Sequence, residues 1–388
     1  MTPTTIIFVT IFIDLIGFGI IIPLMPFYAE TFGATALTVG LLSTSFSFMQ
    51  FIFAPLWGRL SDRIGRRPVI LIGLFGSFLS YLFFGLAGSL TALFAARICA
   101  GIAGANVSTA QAYMADITTP ENRARGMGLV GAAFGLGFIF GPAIGGFLSQ
   151  FSYQAPPFFA AALSLVNFTA ALFVLPESRP VESTATRPRV SRIEAFRSAT
   201  TRSGLPQLLL IYFIVIAAFS SFEATFALFG ELRFGFDATT IGYLFAYTGV
   251  VLTVVQGGLV GRVVKRFGER RILPVAILAL AAGLALIAVA QSMPMLLVAM
   301  GLLSVGIGFN SPSITSLISR MSRADEQGGI LGVSQSMASL GRILGPAAGG
   351  YVYDSIGPTT PYVAASVLML VAAAISMVGA GRASSDVG

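Results

Sequence analysis

The sequence predicts an all-α membrane protein, with twelve transmembrane helices forming two pseudo-symmetric six-helix bundles. Three observations lead there. Of 388 residues, 55% are hydrophobic and only 10% charged, whereas soluble domains average about 25% charged. So few charges could not cover a globule of this size in water. Apolar runs of about 20 residues, the length that crosses a ~30 Å hydrocarbon layer, recur along the whole chain. Motifs of the first half also return after shifts of 203 and 204 residues.

Twelve apolar runs lie at 6–27, 37–57, 69–88, 92–115, 127–148, 157–175, 207–229, 239–260, 272–290, 294–318, 329–350 and 361–380. Backbone polar groups cannot stay open in lipid, so runs of this length must be helices. The first lacks a basic flank, is too long for a signal-peptide core and contains Asp14, so it reads as a span and not as a cleaved signal. The longest connection, 176–206, is polar, arginine-rich and bounded by Pro176 and Pro206. It divides the chain into an N-terminal bundle (1–175), a linker (176–206) and a C-terminal bundle with a short tail (207–388). Within it, Arg192–Arg197 reads either as an amphipathic stretch on anionic lipid or as part of a plain tether.

Charge placement gives the orientation. With the N-terminus in the cytoplasm, 20 of the 23 cations fall in loops after even-numbered spans or in the tail. The opposite face keeps Arg233, and Arg97 and Arg342 lie within spans. Positive-inside asymmetry then puts both ends in the cytoplasm. The net charge of +7 is explained as sidedness, not as a nucleic-acid surface. Histidine is absent and Cys99 is the single cysteine, which excludes a disulfide framework, a histidine-ligated metal and a Ser-His-Asp triad. No phosphate-binding G-x-x-x-x-G-K-[ST] loop occurs, which argues against ATP drive. No enzyme activity, cofactor or metal is expected.

The repeat is specific. Gly58, Arg59, Arg63, Gly65 and Arg67 coincide with Gly261, Arg262, Arg266, Gly268 and Arg270, while Asp62 becomes Lys265 and Arg66 becomes Glu269. Gly137, Gly141, Pro142, Gly145 and Gly146 coincide with Gly341, Gly345, Pro346, Gly349 and Gly350, and Asn106 with Asn310. Internal repetition in a membrane protein is the mark of a transporter built around a midplane site.

At these residues the chain resembles a known family. Gly58-x-x-Ser61-Asp62-Arg63-x-Gly65-Arg66-Arg67-Pro68 is similar to the signature loop of the major facilitator superfamily, and Gly137-x-x-x-Gly141-Pro142-x-x-Gly145-Gly146 to its antiporter motif. Asp14-Leu-Ile-Gly17-Phe-Gly19 and Arg97-x-x-x-Gly101-x-x-Gly104 resemble the twelve-span drug/proton antiporters, and Phe236–Gly242 with Gly268–Arg271 the tetracycline-efflux branch. The chain departs from that branch in span 9, where Leu280 stands near its aspartate. The resemblance implies the major facilitator fold and proton-driven efflux.

Each candidate residue has two readings. Asp14, halfway along span 1, is a proton site or a carboxylate tied to helix neighbours; Glu223 in span 7 is a second ligand for proton or cation, or a span-end acid in contact with water. Arg97 either tunes Asp14 or reaches the external headgroups. Arg342 is an anion contact, a partner of Glu223 or buried structure. Asn106, Gln111 and Asn310 are substrate-binding amides or interhelical ties. Asp62 can face a helix N-terminus, which the resemblance places at span 11, and Arg63, Arg66 or Arg67 can meet Asp116. The span 5 glycines with Pro142 are close packing plus a kink; their antiport role comes from the resemblance.

The expected function is proton-coupled export of small amphipathic or cationic compounds across a bacterial cytoplasmic membrane by a monomer. Its partners are substrate, protons and lipid, with no nucleic acid. A nutrient symporter or uniporter of the same fold is the first alternative, and a non-transporting receptor or sensor the second.

Overall fold

A computed structural model describes residues 2–104, 107–119, 122–178, 192–202, 204–322 and 326–385. Those residues are nearly all helical and contain no strand. In chain order the helices are α1 Pro3–Glu30, α2 Ala36–Ile64, α3 Arg66–Gly85, α4 Leu90–Gly104, α5 Val107–Asp116, α6 Arg123–Ser149, α7 Ala155–Val174 and α8 Arg192–Thr201. Next come α9 Leu205–Phe234, α10 Ala238–Val254, a π-helical turn Val255–Leu259 and α11 Val260–Phe267. The last four are α12 Glu269–Ala288, α13 Met293–Arg320, α14 Gln327–Ser355 and α15 Thr360–Ser385.

Eleven helices among the described residues are long and apolar enough to cross a membrane. The predicted run 329–350 forms α14, which is 29 residues long. It is diluted in apolar character by Gln335, Ser336, Ser339 and Arg342. Capping follows the sequence: Thr2 and Thr35 accept from Thr5 N–H and Thr38 N–H at the starts of α1 and α2. Asp237 accepts from the Thr240 N–H (2.8 Å) and hydroxyl (2.7 Å) at the start of α10. Partial burial pushes this carboxyl up, but the hydrogen bonds outweigh it and hold Asp237 below the usual carboxylate range.

By packing, the chain divides into one unit of 1–185 with 226–250 and another of 186–225 with 251–388. In the first unit α1 lies against α6 and α7, α3 against α4 and α7, and α2 against α4. Residues 226–250 join this unit through small residues of α6. Thr239 donates to the Gly146 carbonyl at 2.9 Å, and a Cβ on Gly249 would stand 2.7 Å from the Phe138 carbonyl. In the second unit α12 packs between α13 and α15. Gly341 and Gly345 seat α14 on Ala217 of α9, and Gly349 seats it on Ser221.

Of the predicted linker, α8 and its flank are described, as are residues 176–178. Arg202 closes this segment onto the second unit, pairing with Glu326 at 2.7 Å and donating to the Met321 carbonyl at 2.8 Å.

Candidate functional site

Asp14 stands on the face of α1 that meets α3. Ser77 is its side-chain hydrogen-bonding neighbour, and the charges of Asp14 and Arg97 both act on Tyr81. Gly17, one turn beyond Asp14, makes room for this arrangement, because a Cβ there would stand 3.0 Å from the Tyr81 ring.

Arg97 enters the same neighbourhood from α4. Residues 97, 101 and 104 follow helical spacing and share one face. Gly101 lets α4 touch α2 at Phe46 and Met49, and a Cβ on Gly104 would meet the Phe46 ring at 3.5 Å. The close approach carries Phe46 beneath the guanidinium, whose centre lies 4.3 Å from the ring centroid. Phe18 of α1 continues the aromatic wall, its centroid 5.5 Å from that of Phe46. Arg97 is 7% exposed, so it packs inside the unit and does not extend to the headgroups. Its Nε is buried without a partner. Burying an ionised group without a partner is costly, which makes an unpaired permanent cation a feature that needs a use.

The second unit holds a similar set. Glu223 and Tyr212 on α9 both interact electrostatically with Arg342 of α14. Arg342 donates to Ser339 at 3.2 Å. The three predicted amides part company. Gln111 is half-buried on α5, and Asn106 lies outside the described residues. Asn310 is fully buried, with both amide atoms lacking a partner. It follows Gly306 by one turn, on the face where Gly306 meets Ala276 and Leu280 of α12. Leu280 is itself core.

The loop between α2 and α3 is organised by Arg66. Its guanidinium contacts Asp62 at 2.8 Å, Asp116 at 3.0 Å and the Ser61 hydroxyl at 2.6 Å. Arg67 turns away to the Leu172 carbonyl at 2.6 Å, Arg63 is exposed, and a Cβ on Gly58 would meet open space. Gly65 makes the turn at φ 98°, a left-handed conformation suited to glycine. Sequence reasoning missed Glu177. Its carboxylate accepts from the Arg66 N–H (2.9 Å) and Arg67 N–H (3.1 Å), capping α3 from 110 residues away. The available signal was an acid directly after Pro176, at the end of span 6.

The second unit repeats this junction with the charges exchanged. Glu269 at the start of α12 pairs with Arg320 at the end of α13 at 2.9 Å and accepts from Ser316. Position 269 corresponds to Arg66, and 320 corresponds to Asp116 under the 204-residue shift. An acid at a helix start and a base at a helix end suit the helix dipole, whereas Arg66 and Asp116 oppose it. Glu177 supplies the missing negative charge at the start of α3.

The two junctions should therefore respond differently. Arg66→Met leaves Asp62 and Asp116 without their shared cation and is expected to cost about 2–3 kcal/mol. Arg320→Met removes a partner whose side chain is 69% exposed and should cost less than about 1 kcal/mol. Unfolding of the two variants in detergent measures the contrast, and equal losses would contradict it.

The α6 glycines form backbone contacts. A Cβ on Gly141 would stand 2.6 Å from the Gly19 Cα, and one on Gly137 2.7 Å from the Leu15 Cβ. Gly145 meets Ile20, while Gly146 faces Thr239 and Gly242. Pro142 lies inside the helix between them.

The sequence pattern of the Major Facilitator Superfamily matches residues 7–263 and 234–384. Tetracycline resistance protein, class E, of Escherichia coli is 36% identical over 356 residues, covering 90% of this chain and 88% of that protein. Multidrug resistance protein 2 of Bacillus subtilis (strain 168) is 33% identical over 374 residues, covering 95% and 92%. The crystal structure of the human organic anion transporter MFSD10 (TETRAN) superposes with a TM-score of 0.74 at 29% identity, covering 96% of this chain and 98% of that one.

Proposed function

This chain belongs to the Major Facilitator Superfamily of multi-pass membrane transporters, and from that premise we propose that it exports small amphipathic or cationic compounds in exchange for protons. The observation that carries the proposal is Asp14, an acid in the middle of α1 with Ser77 beside it and Tyr81 and Arg97 in the same cluster. Intramembrane acids mark ion and substrate pathways. The tetracycline and multidrug resistance names of its relatives support the export direction and the substrate class.

In this reading Asp14 takes a proton from outside and gives it up inside, and substrate and proton favour different states. A ligand that binds both states equally shifts neither. Glu223 and Arg342 provide a second acid–base pair, and Gln111 and Asn310 remain amides through which substrate or helices are held. Asn106 has the same role in the proposal. The cycle alternates access between two six-span halves joined by the 176–206 linker. Asp62, Gly65, Arg66 and Asp116 act as the cytoplasmic latch, flanked by Gly58, Arg63 and Arg67. The protein works as a monomer in a bacterial cytoplasmic membrane with both termini inside.

Proteoliposomes carrying an imposed pH gradient and a panel of fluorescent amphipathic compounds test this. Gradient-dependent accumulation that a protonophore collapses is the expected result. Equilibration at the same rate and extent without the gradient would remove proton coupling.

A further inference from the structure

The buried guanidinium of Arg97 has a geometry that its neighbours leave unfinished. One face is covered by the Phe46 ring at 4.3 Å. Its Nε is sealed from solvent with no partner, and among the described residues no hydrogen bond or ion pair reaches the group. The sealing without a partner is confined to Nε and does not extend to the Nη atoms, and the residue as a whole keeps 7% exposure, so the Nη side is the one a ligand can approach. Guanidinium does not give up its proton in proteins, so neutralisation cannot relieve the charge. Asp14 does not relieve it either, because no ion pair joins the two; Tyr81 stands under the influence of both. The planar donor fork matches a carboxylate or an enolate oxygen pair. The wall beside it, Phe46 and Phe18 with centroids 5.5 Å apart, offers an apolar and aromatic surface.

We propose that Arg97 is a substrate-recognition residue for an anionic group, and that the exported compounds carry an ionised carboxyl or acidic enol on an aromatic body. The inference rests on the transport reading above and narrows its amphipathic class. The anion completes the guanidinium and the ring lies along Phe46 and Phe18. The adjoining Asp14 then meets either a proton or a cationic part of the same molecule.

Naphthylacetate and its neutral isostere naphthylacetamide are suitable probes, with binding measured by calorimetry on the purified, detergent-solubilised full chain without any gradient. The wild-type protein should bind the acid at least about tenfold more tightly than the amide, a difference of about 1.4 kcal/mol. Arg97→Gln should erase that preference, and Arg97→Lys should restore part of it, since Lys keeps the charge but loses the fork. Equal binding of acid and amide by the wild type overturns the proposal without reference to any variant. A preference that survives in Arg97→Gln overturns it as well. The two readings fail separately. An acid preference without proton-driven transport supports recognition by Arg97 and refutes the coupling alone, whereas proton-driven transport without an acid preference refutes recognition by Arg97 alone.

Discussion

Asp14→Asn is expected to abolish gradient-driven accumulation while leaving the protein inserted and folded. Asparagine is nearly isosteric and can still accept a hydrogen bond from Ser77, the neighbour of the carboxylate. What it removes is the proton exchange. A tenfold proton gradient is worth about 1.4 kcal/mol, so exchange of one proton per substrate sustains about tenfold accumulation across one pH unit. The Asn variant should fall to a ratio near one, because a site that no longer distinguishes protonated from ionised states cannot bias the cycle. Substrate counterflow down its own gradient should persist. Flux assays in proteoliposomes with and without a pH gradient measure both quantities. Undiminished accumulation in the variant would take the coupling away from Asp14 and direct attention to Glu223, the half-buried acid of α9 whose neighbour is Arg342.

Asp14, Arg97 and the glycine motifs were legible in the sequence because the chain is so poor in charge. An acid inside an apolar run stands out when only 10% of residues are charged. The helices were legible for a related reason, since lipid leaves the backbone little choice. Side-chain direction was harder to read. Distance along α4 permitted Arg97 to reach the headgroups, and only the register of α2 against Gly101 and Gly104 reveals Phe46 beneath it. Asn310 was equally ambiguous as an amide on an apolar helix, and its burial follows from the helical phase it shares with Gly306. Glu177 was illegible because its partners, the first N–H groups of α3, lie 110 residues away in sequence. No periodicity reports such a cap. The exchange of sign between the Arg66–Asp116 and Glu269–Arg320 pairs was half visible. Arg66 aligned with Glu269, but the second exchange emerges only when both ion pairs are seen to join the same ends of corresponding helices.

Gly141→Val should damage the fold far more than a substitution at Gly131 of the same helix. The Cβ position at Gly141 lies 2.6 Å from the Gly19 Cα and 2.9 Å from the Ile16 carbonyl. These are backbone atoms, which cannot rotate aside. On the other side of the seam, a Cβ on Gly19 would stand 2.8 Å from the Gly137 carbonyl. Lipid supplies no hydrophobic force to hold α1 on α6, so this close packing is itself the association. Even Gly141→Ala forces the helices apart, at an overpacking cost of about 1–3 kcal/mol, and the larger branched side chain should exceed that range. Gly131, ten residues earlier on α6, is the internal control, because a Cβ there meets nothing within 4 Å. Gly131→Ala should be neutral or gain up to about 1 kcal/mol from helix propensity. Thermal unfolding of the three variants in detergent separates the two kinds of glycine, and similar losses at 131 and 141 would dismiss the seam. Transport should fall along with stability in the Ala variant. Leu15 to Ile20, the stretch of α1 that packs on α6, begins next to Asp14, so opening the seam also shifts that carboxylate relative to Ser77 and Tyr81.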